Sequence, residues 1–126
     1  MSSNPRPTST AEIATMLKVL ADPRRLQILE ALMNGIQCNC ELGKFLDMAP
    51  NLISHHLRVL REAGLVEVER DPLDQRWIYY SVNERTLESW RRVFGAFLDP
   101  ARIKPRRTTC GPSGSLVRLE EIGTTA

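Results

Sequence analysis

Two cysteines separated by one residue are the side chains in this sequence best suited to chemistry. Cys38 and Cys40 flank Asn39, and the third cysteine, Cys110, lies far downstream. Thiolates bind soft ions such as As(III), Cd(II), Pb(II), Hg(II) and Zn(II). An odd number of cysteines argues against a disulfide framework and favours metal or redox chemistry. Because the pair lacks Cys-x-x-Cys spacing and the chain lacks a glycine-rich cofactor loop, we do not expect an enzyme.

The spacing of the thiol pair makes a structural prediction. In a regular helix, residues two apart point about 200° away from each other. Both sulfurs can therefore face one ion only if the segment is extended or unwinds. A short helix is predicted over 40–46, so ion binding is expected to distort its start. The alternative is that one cysteine is a buried small hydrophobe and the other is incidental.

Composition sets broad limits. The chain has 126 residues, 42% hydrophobic and 25% charged, which is typical of one soluble globular domain. No apolar run approaches the roughly 18 residues of a membrane span, and the N-terminus lacks an apolar signal core. We therefore expect a cytoplasmic protein with reduced thiols and no membrane partner. The net charge of +2 does not by itself indicate nucleic-acid binding.

The pattern divides the chain into three parts. Residues 1–10 are polar and predicted to be a disordered arm, residues 11–98 form the folded domain, and residues 99–126 are a flexible tail carrying Cys110. Apolar residues at helical spacing predict a first helix from Ala11. Asp22 is placed to cap a second helix that begins at Pro23.

Two further helices are predicted around a tight turn. The helix over 40–46 should turn Leu42, Phe45 and Leu46 inward. The turn at 47–49 leads to Pro50, which suits the first position of a helix with a polar outer face. This helix–turn–helix layout is followed by two β-rich runs around a proline-containing turn, which predicts a hairpin wing. A last helix is predicted over 84–98. The fold class is therefore α+β and mainly α: a winged helix-turn-helix with a two-stranded wing.

A helix with polar and basic residues can read base edges in the major groove while neighbouring cations hold phosphates. We predict that eight residues of the helix beginning at Pro50 and of the hairpin contact DNA. They are Asn51, Ser54, His55, His56, Arg58, Arg61, Arg70 and Arg76. The alternative for each of them is a solvated surface residue, and one of the adjacent histidines could instead pack under the helix.

Four segments resemble the ArsR/SmtB family of bacterial metal-sensing winged-helix repressors. They are LADPRRLQIL at 20–29, CNCELGKFL at 38–46, ISHHLRVLREAGLVEVER at 53–70 and WIYYSVN at 77–83. The resemblance covers about residues 11–98. It implies a homodimer built on the first and last helices that represses a promoter by binding double-stranded, two-fold operator DNA. The residues expected at the dimer interface are Leu17, Leu20, Trp90, Phe94 and Phe97.

The resemblance also implies a metal site, with two departures from the family pattern. CNCEL resembles the Cys-x-Cys-Asp-Leu metal box of arsenic, cadmium and lead sensors, but Gly43 stands where arsenic sensors often have a third cysteine. We predict that Cys110 completes a trigonal As(III) site, with Cd(II), Pb(II) or Hg(II) as the alternative ions and a free, exposed tail thiol as the alternative role of Cys110. Ala49-Pro50 replaces a frequent Ser-Gln pair at the start of the DNA-reading helix. A thiol-redox repressor with the same fold remains the competing function.

Overall fold

The computed structural model of the protein describes residues 8–106. This part of the chain folds into five α-helices, a two-stranded antiparallel sheet and a terminal 3₁₀ turn, which confirms the predicted fold class. The elements are α1 (Thr10–Leu20), α2 (Pro23–Met33), α3 (Asn39–Leu46), α4 (Pro50–Glu62), β1 (Val66–Arg70), β2 (Ile78–Val82), α5 (Glu84–Phe97) and the 3₁₀ turn Pro100–Arg102.

Local signals set the helix starts. The side chain of Asp22 accepts hydrogen bonds from the backbone N–H groups of Arg24 and Arg25, at 2.8 and 3.4 Å, and Pro23 is the first residue of α2 as predicted. Pro50 likewise opens α4. Ser9 forms a capping box with Glu12, so α1 begins inside the segment predicted to be an arm.

The core lies between α2, α3, α4 and the start of the hairpin. Its most buried side chains are Ile28, Leu42, Ile53, Leu57, Leu60, Leu65 and Val66. One predicted core residue is wrong: Phe45 is 64% exposed. The neighbouring helices cover α3 along the stripe of Leu42 and Leu46, and Phe45 projects beyond the edge of that stripe.

The hairpin pairs Val66 with Val82 at its base and Arg70 with Ile78 towards its tip. A second contact ties it to the segment before α3. Cys38 forms an isolated antiparallel bridge with Tyr79, and the backbone N–H of Tyr80 donates to the carbonyl of Gln37 at 2.7 Å. The wing is therefore attached directly to the residues that carry the thiol pair.

Helix α5 lies against α1 and leaves much of its apolar surface uncovered. None of its residues is fully buried. Trp90 packs partly against the core and meets Phe94 edge-on, with the ring centroids 6.0 Å apart. Phe97 is 40% exposed and Leu17 on α1 is 49% exposed. Across residues 8–106, we find no helix with the length and apolar character needed to cross a membrane.

Candidate metal site and nucleic-acid interface

The two thiols already converge. Cys38 is the N-cap residue of α3, with an extended backbone (φ −115°, ψ 158°), whereas Cys40 lies in the first turn. Their Sγ atoms are 3.0 Å apart. Two sulfurs that each bind one ion at about 2.3 Å can be up to about 4.6 Å apart, so this pair can share an ion. Of the two predicted possibilities, an extended segment or an unwound helix, the structure has the extended segment at Cys38. No unwinding of α3 is needed to bring the sulfurs together.

Glu41 holds the extended segment in place. Its Oε1 accepts hydrogen bonds from the backbone N–H groups of Cys38, at 3.0 Å, and Gln37, at 3.2 Å. The hydrogen bond from Cys38 and then that from Gln37 lower the pKa of the Glu41 carboxyl. Sequence reasoning missed this role, although a glutamate three residues after the N-cap is the spacing of a capping box.

The two cysteines differ in their surroundings. Cys38 is buried, at 8% exposure, whereas Cys40 is exposed. Burial, followed by the hydrogen bond with Cys40, raises the pKa of the Cys38 thiol. An ion that binds as a thiolate complex must therefore displace this proton. Within residues 8–106 no group of three or more His, Cys, Asp or Glu side chains could hold a metal ion, and Cys110 lies outside the described residues.

An open pocket of about 520 Å³ lies beside Cys40, between α3 and the start of α4. Gly43, Lys44 and Met48 contribute to its wall. Asn39 also lines it, and the Oδ1 atom of Asn39 is buried with no hydrogen-bond partner among the described residues. Sequence reasoning identified Gly43 as a departure from the family pattern but did not predict a pocket there.

The outer face of α4 presents most of the predicted DNA-contacting side chains. Those exposed on this helix are Asn51, Ser54, His55, Arg58 and Arg61. The N-cap residue Ala49 makes no side-chain cap hydrogen bond. The helix therefore starts without the side-chain acceptor that Ser, Thr, Asp or Asn would supply. The arrangement suits a helix that approaches DNA with its polar face, and each individual contact stays a prediction.

His56 is a correction to the predicted DNA contacts. Its side chain is only 4% exposed, so it is not available to DNA. Its Nδ1 lies 3.2 Å from Nη1 of Arg25, and the same guanidinium donates to the carbonyls of Val19, at 2.6 Å, and Lys18, at 3.2 Å. Arg25 therefore joins the end of α1 to α4. No local sequence signal indicates this contact.

The wing arginines are engaged within the wing itself. Arg76 forms a bidentate ion pair with Asp74, at 2.9 and 2.8 Å, and this interaction lowers the pKa of Asp74. Arg70 donates from Nη1 to the carbonyl of Gln75 at 2.9 Å. Both side chains lie beside the hairpin turn, as predicted. The carboxylate of Asp74 partly neutralises the charge that Arg76 would offer to a phosphate.

Helices α3 and α4 with the attached hairpin define a winged helix-turn-helix protein of the DNA-binding class. The family model for the bacterial regulatory protein, arsR family, matches residues 22–68. The chain belongs to this family of transcription regulators and is not an enzyme. An HTH-type transcriptional regulator from Methanocaldococcus jannaschii is 38% identical over 77 residues, which cover 60% of this chain and 83% of that protein.

Two further relatives bear on function. The arsenical resistance operon repressor of Staphylococcus aureus is 34% identical over 80 residues, or 64% of this chain and 74% of the repressor. A solved structure described as a possible transcriptional regulator for arsenical resistance has a TM-score of 0.57 and 36% identity, and the match covers 64% of this chain and 81% of that one. The relatives therefore support the predicted family and fold together.

Proposed function

We propose that the protein is an arsenic-responsive repressor whose homodimer binds a two-fold operator and releases it when As(III) binds Cys38 and Cys40. The observation that carries this proposal is the 3.0 Å separation of the two Sγ atoms in a segment that is bridged to the wing. Similarity to the S. aureus arsenical resistance operon repressor supports the choice of ion. Cd(II), Pb(II) and Hg(II) are the other soft ions that a thiolate pair favours.

The proposed dimer uses α1 and α5. Their incompletely covered apolar side chains, among them Leu17, Leu20, Trp90, Phe94 and Phe97, form the proposed interface, although Leu20 and Trp90 also pack partly against the core of their own subunit. The polar face of each α4 then contacts one half-site. Cys110 remains the proposed third ligand for inorganic As(III), either within a subunit or across the dimer.

DNA release under reducing conditions tests this function. The purified protein first selects a duplex from a random library, and fluorescence anisotropy then follows release of that duplex in a thiol-free reductant. Arsenite should release the DNA from the wild type, with a coupling on the usual scale of about 1–3 kcal/mol. Cys38→Ser and Cys40→Ser should abolish release while leaving DNA binding intact. Titrations with Cd(II), Pb(II), Hg(II) and Zn(II) rank the ions.

A thiol-redox repressor is the second candidate, and the same sulfur separation supports it. Oxidation of Cys38 and Cys40 to a disulfide would then be the signal. Release by arsenite under full reduction contradicts this alternative. Release by a mild oxidant alone, with no response to arsenite, contradicts the arsenic proposal instead.

A further inference from the structure

We propose that the thiol pair also takes trivalent arsenicals that carry an organic substituent, and that the substituent lies in the pocket beside Cys40. This inference rests on the proposed function, because it names a class of inducer for the same two thiols.

Trivalent arsenic forms three bonds, and the described residues supply two sulfurs. Cys38 and Cys40 are the cysteines within residues 8–106. When arsenous acid binds the pair, its third bond remains to oxygen unless another thiol replaces it. In an organic arsenical the third bond is already made to carbon. Two sulfurs 3.0 Å apart then satisfy the arsenic completely.

The space beside Cys40 is open because position 43 is glycine. Residues three apart lie on the same face of a helix, so Gly43 is one turn from Cys40 on the same side of α3. A Cβ at Gly43 would lie 3.5 Å from the carbonyl oxygen of Met48 and 3.7 Å from Cδ1 of Ile53, which is ordinary van der Waals contact. A larger side chain at position 43 would therefore fit on the backbone and occupy space that the pocket now offers.

The pocket suits a small organic group. Its volume of about 520 Å³ is within the range of about 300–1,000 Å³ that is usual for small-molecule sites. Met48 and Pro50 give it apolar surface.

The binding step balances without an oxidant or reductant. A hydrated organic arsenical, R–As(OH)₂, reacts with the two thiols, so two As–O bonds break and two As–S bonds form. Each thiol proton leaves with a hydroxyl group as water, and arsenic stays trivalent. The As–C bond is untouched, which leaves R free to occupy the pocket.

Phenylarsine oxide, which hydrates to phenylarsonous acid, is the probe, with arsenite as the comparison. Direct binding is measured by calorimetry, and release of the selected duplex by anisotropy. Wild type should bind one phenylarsonous acid per subunit. Cys110→Ser should weaken the arsenite response and leave the phenylarsine oxide response unchanged.

Two substitutions at Gly43 test the pocket itself. Gly43→Val should lower the affinity for phenylarsonous acid by about tenfold, because the aromatic ring loses its burial. The affinity for arsenite should stay unchanged. Gly43→Cys should raise the affinity for arsenite by about tenfold or more, because it adds a thiol one turn from Cys40. Gly95→Val and Gly95→Cys are the matched controls. Gly95 is also a helical glycine, and a Cβ built there meets nothing within 4 Å.

Unchanged phenylarsonous acid affinity in a folded Gly43→Val protein overturns the pocket proposal. If circular dichroism shows that this variant is unfolded, wild type is compared with phenylarsonous and methylarsonous acids, and equal affinities overturn the proposal. Arsenite release without phenylarsine oxide release also overturns it while the proposed function stands. Failure of both ligands to release DNA from the reduced dimer overturns the proposed function as well.

Discussion

The backbone N–H of Tyr80 in the wing donates to the carbonyl oxygen of Gln37, the residue before the thiol pair, over 2.7 Å. A change in the backbone at Cys38 therefore reaches β2 through a single peptide unit. The sequence pattern predicted that an ion would act by distorting α3. Because the two sulfurs are already 3.0 Å apart, an ion need not distort α3 and can act instead through this pairing with the wing.

Glu41 should control how firmly this junction is held. Glu41→Ala removes the acceptor for two backbone N–H groups and should lower the free energy of unfolding, as for loss of a helix cap. It should also weaken arsenite binding and speed amide exchange at Tyr80. Glu41→Gln keeps an oxygen acceptor and should largely restore the stability, the arsenite binding and the slow amide exchange at Tyr80. Identical Tyr80 exchange in Glu41→Ala and wild type would argue that the carboxylate does not hold the junction.

The pH dependence of inducer binding should separate arsenic from cadmium. Burial raises the pKa of the Cys38 thiol, so it carries a proton at neutral pH. Binding of Cd(II) displaces the proton of Cys38, so the affinity for Cd(II) should rise by up to about tenfold per pH unit while that thiol is protonated. Arsenous acid loses water instead of protons, so its affinity should stay flat. Calorimetry between about pH 6 and pH 8 checks both slopes. An arsenite affinity that climbs with pH as steeply as that of Cd(II) would contradict this mechanism.

Acid should destabilise the fold through His56. Burial lowers the pKa of this imidazole in the folded state, so the unfolded chain binds more protons below the ordinary histidine value of about 6.5. Stability is then fully present above that value and falls as the pH drops towards the folded pKa. His56→Gln should flatten this slope in urea denaturation, whereas His55→Gln, on the exposed side of α4, should keep it. Equal slopes in the two variants would assign the acid sensitivity elsewhere.

The wing should bind DNA more tightly when Arg76 is released. Asp74→Asn removes the carboxylate from the ion pair but keeps an oxygen that can accept the backbone N–H of Arg76. The freed guanidinium should strengthen binding and steepen the salt dependence by about one unit of slope. Anisotropy titrations over a range of salt concentrations measure this. Arg76→Ala in the Asp74→Asn background should reverse the gain, and its persistence would exclude Arg76 as the contact.

The proposed dimer interface predicts a change in oligomeric state. Leu17→Asp and Phe97→Asp each place a carboxylate on the incompletely covered apolar surface of α1 and α5. Each should shift the protein to monomer in sedimentation velocity, because an unpaired charge is costly to bury. Ser89→Asp, on the exposed side of α5, is the control and should remain dimeric. A Phe97→Asp protein that still sediments as a dimer would place the interface on another surface.

Local signals account for what the sequence predicted well. Asp22, Pro23 and Pro50 act on backbone groups within a few residues, so their positions alone predict where α2 and α4 begin. The exposed face of α4 follows from helical periodicity in the same way. The helix predicted over 40–46 likewise placed the thiol pair at the start of α3.

Contacts between distant residues account for the rest. The extended backbone of Cys38 accompanies pairing with Tyr79, which is far away in the chain. Helical spacing places His56, three residues after Ile53 and four before Leu60, on the apolar face of α4, but its partner Arg25 lies on another helix and no spacing indicates that contact. Phe45 fits the apolar spacing of α3, but neighbouring helices cover only the adjacent stripe. Such outcomes depend on which element packs against which, and a single helical pattern does not contain that information.

The bond network of Arg25 has a consequence for the operator. One guanidinium fixes the end of α1, which the proposed dimer places near its symmetry axis, against α4, which the same proposal places in the major groove. In that dimer, the angle between these helices determines how far apart the two α4 helices lie. The number of base pairs between the two halves of a palindrome that this protein can bridge is then set partly by a side chain that touches no nucleotide.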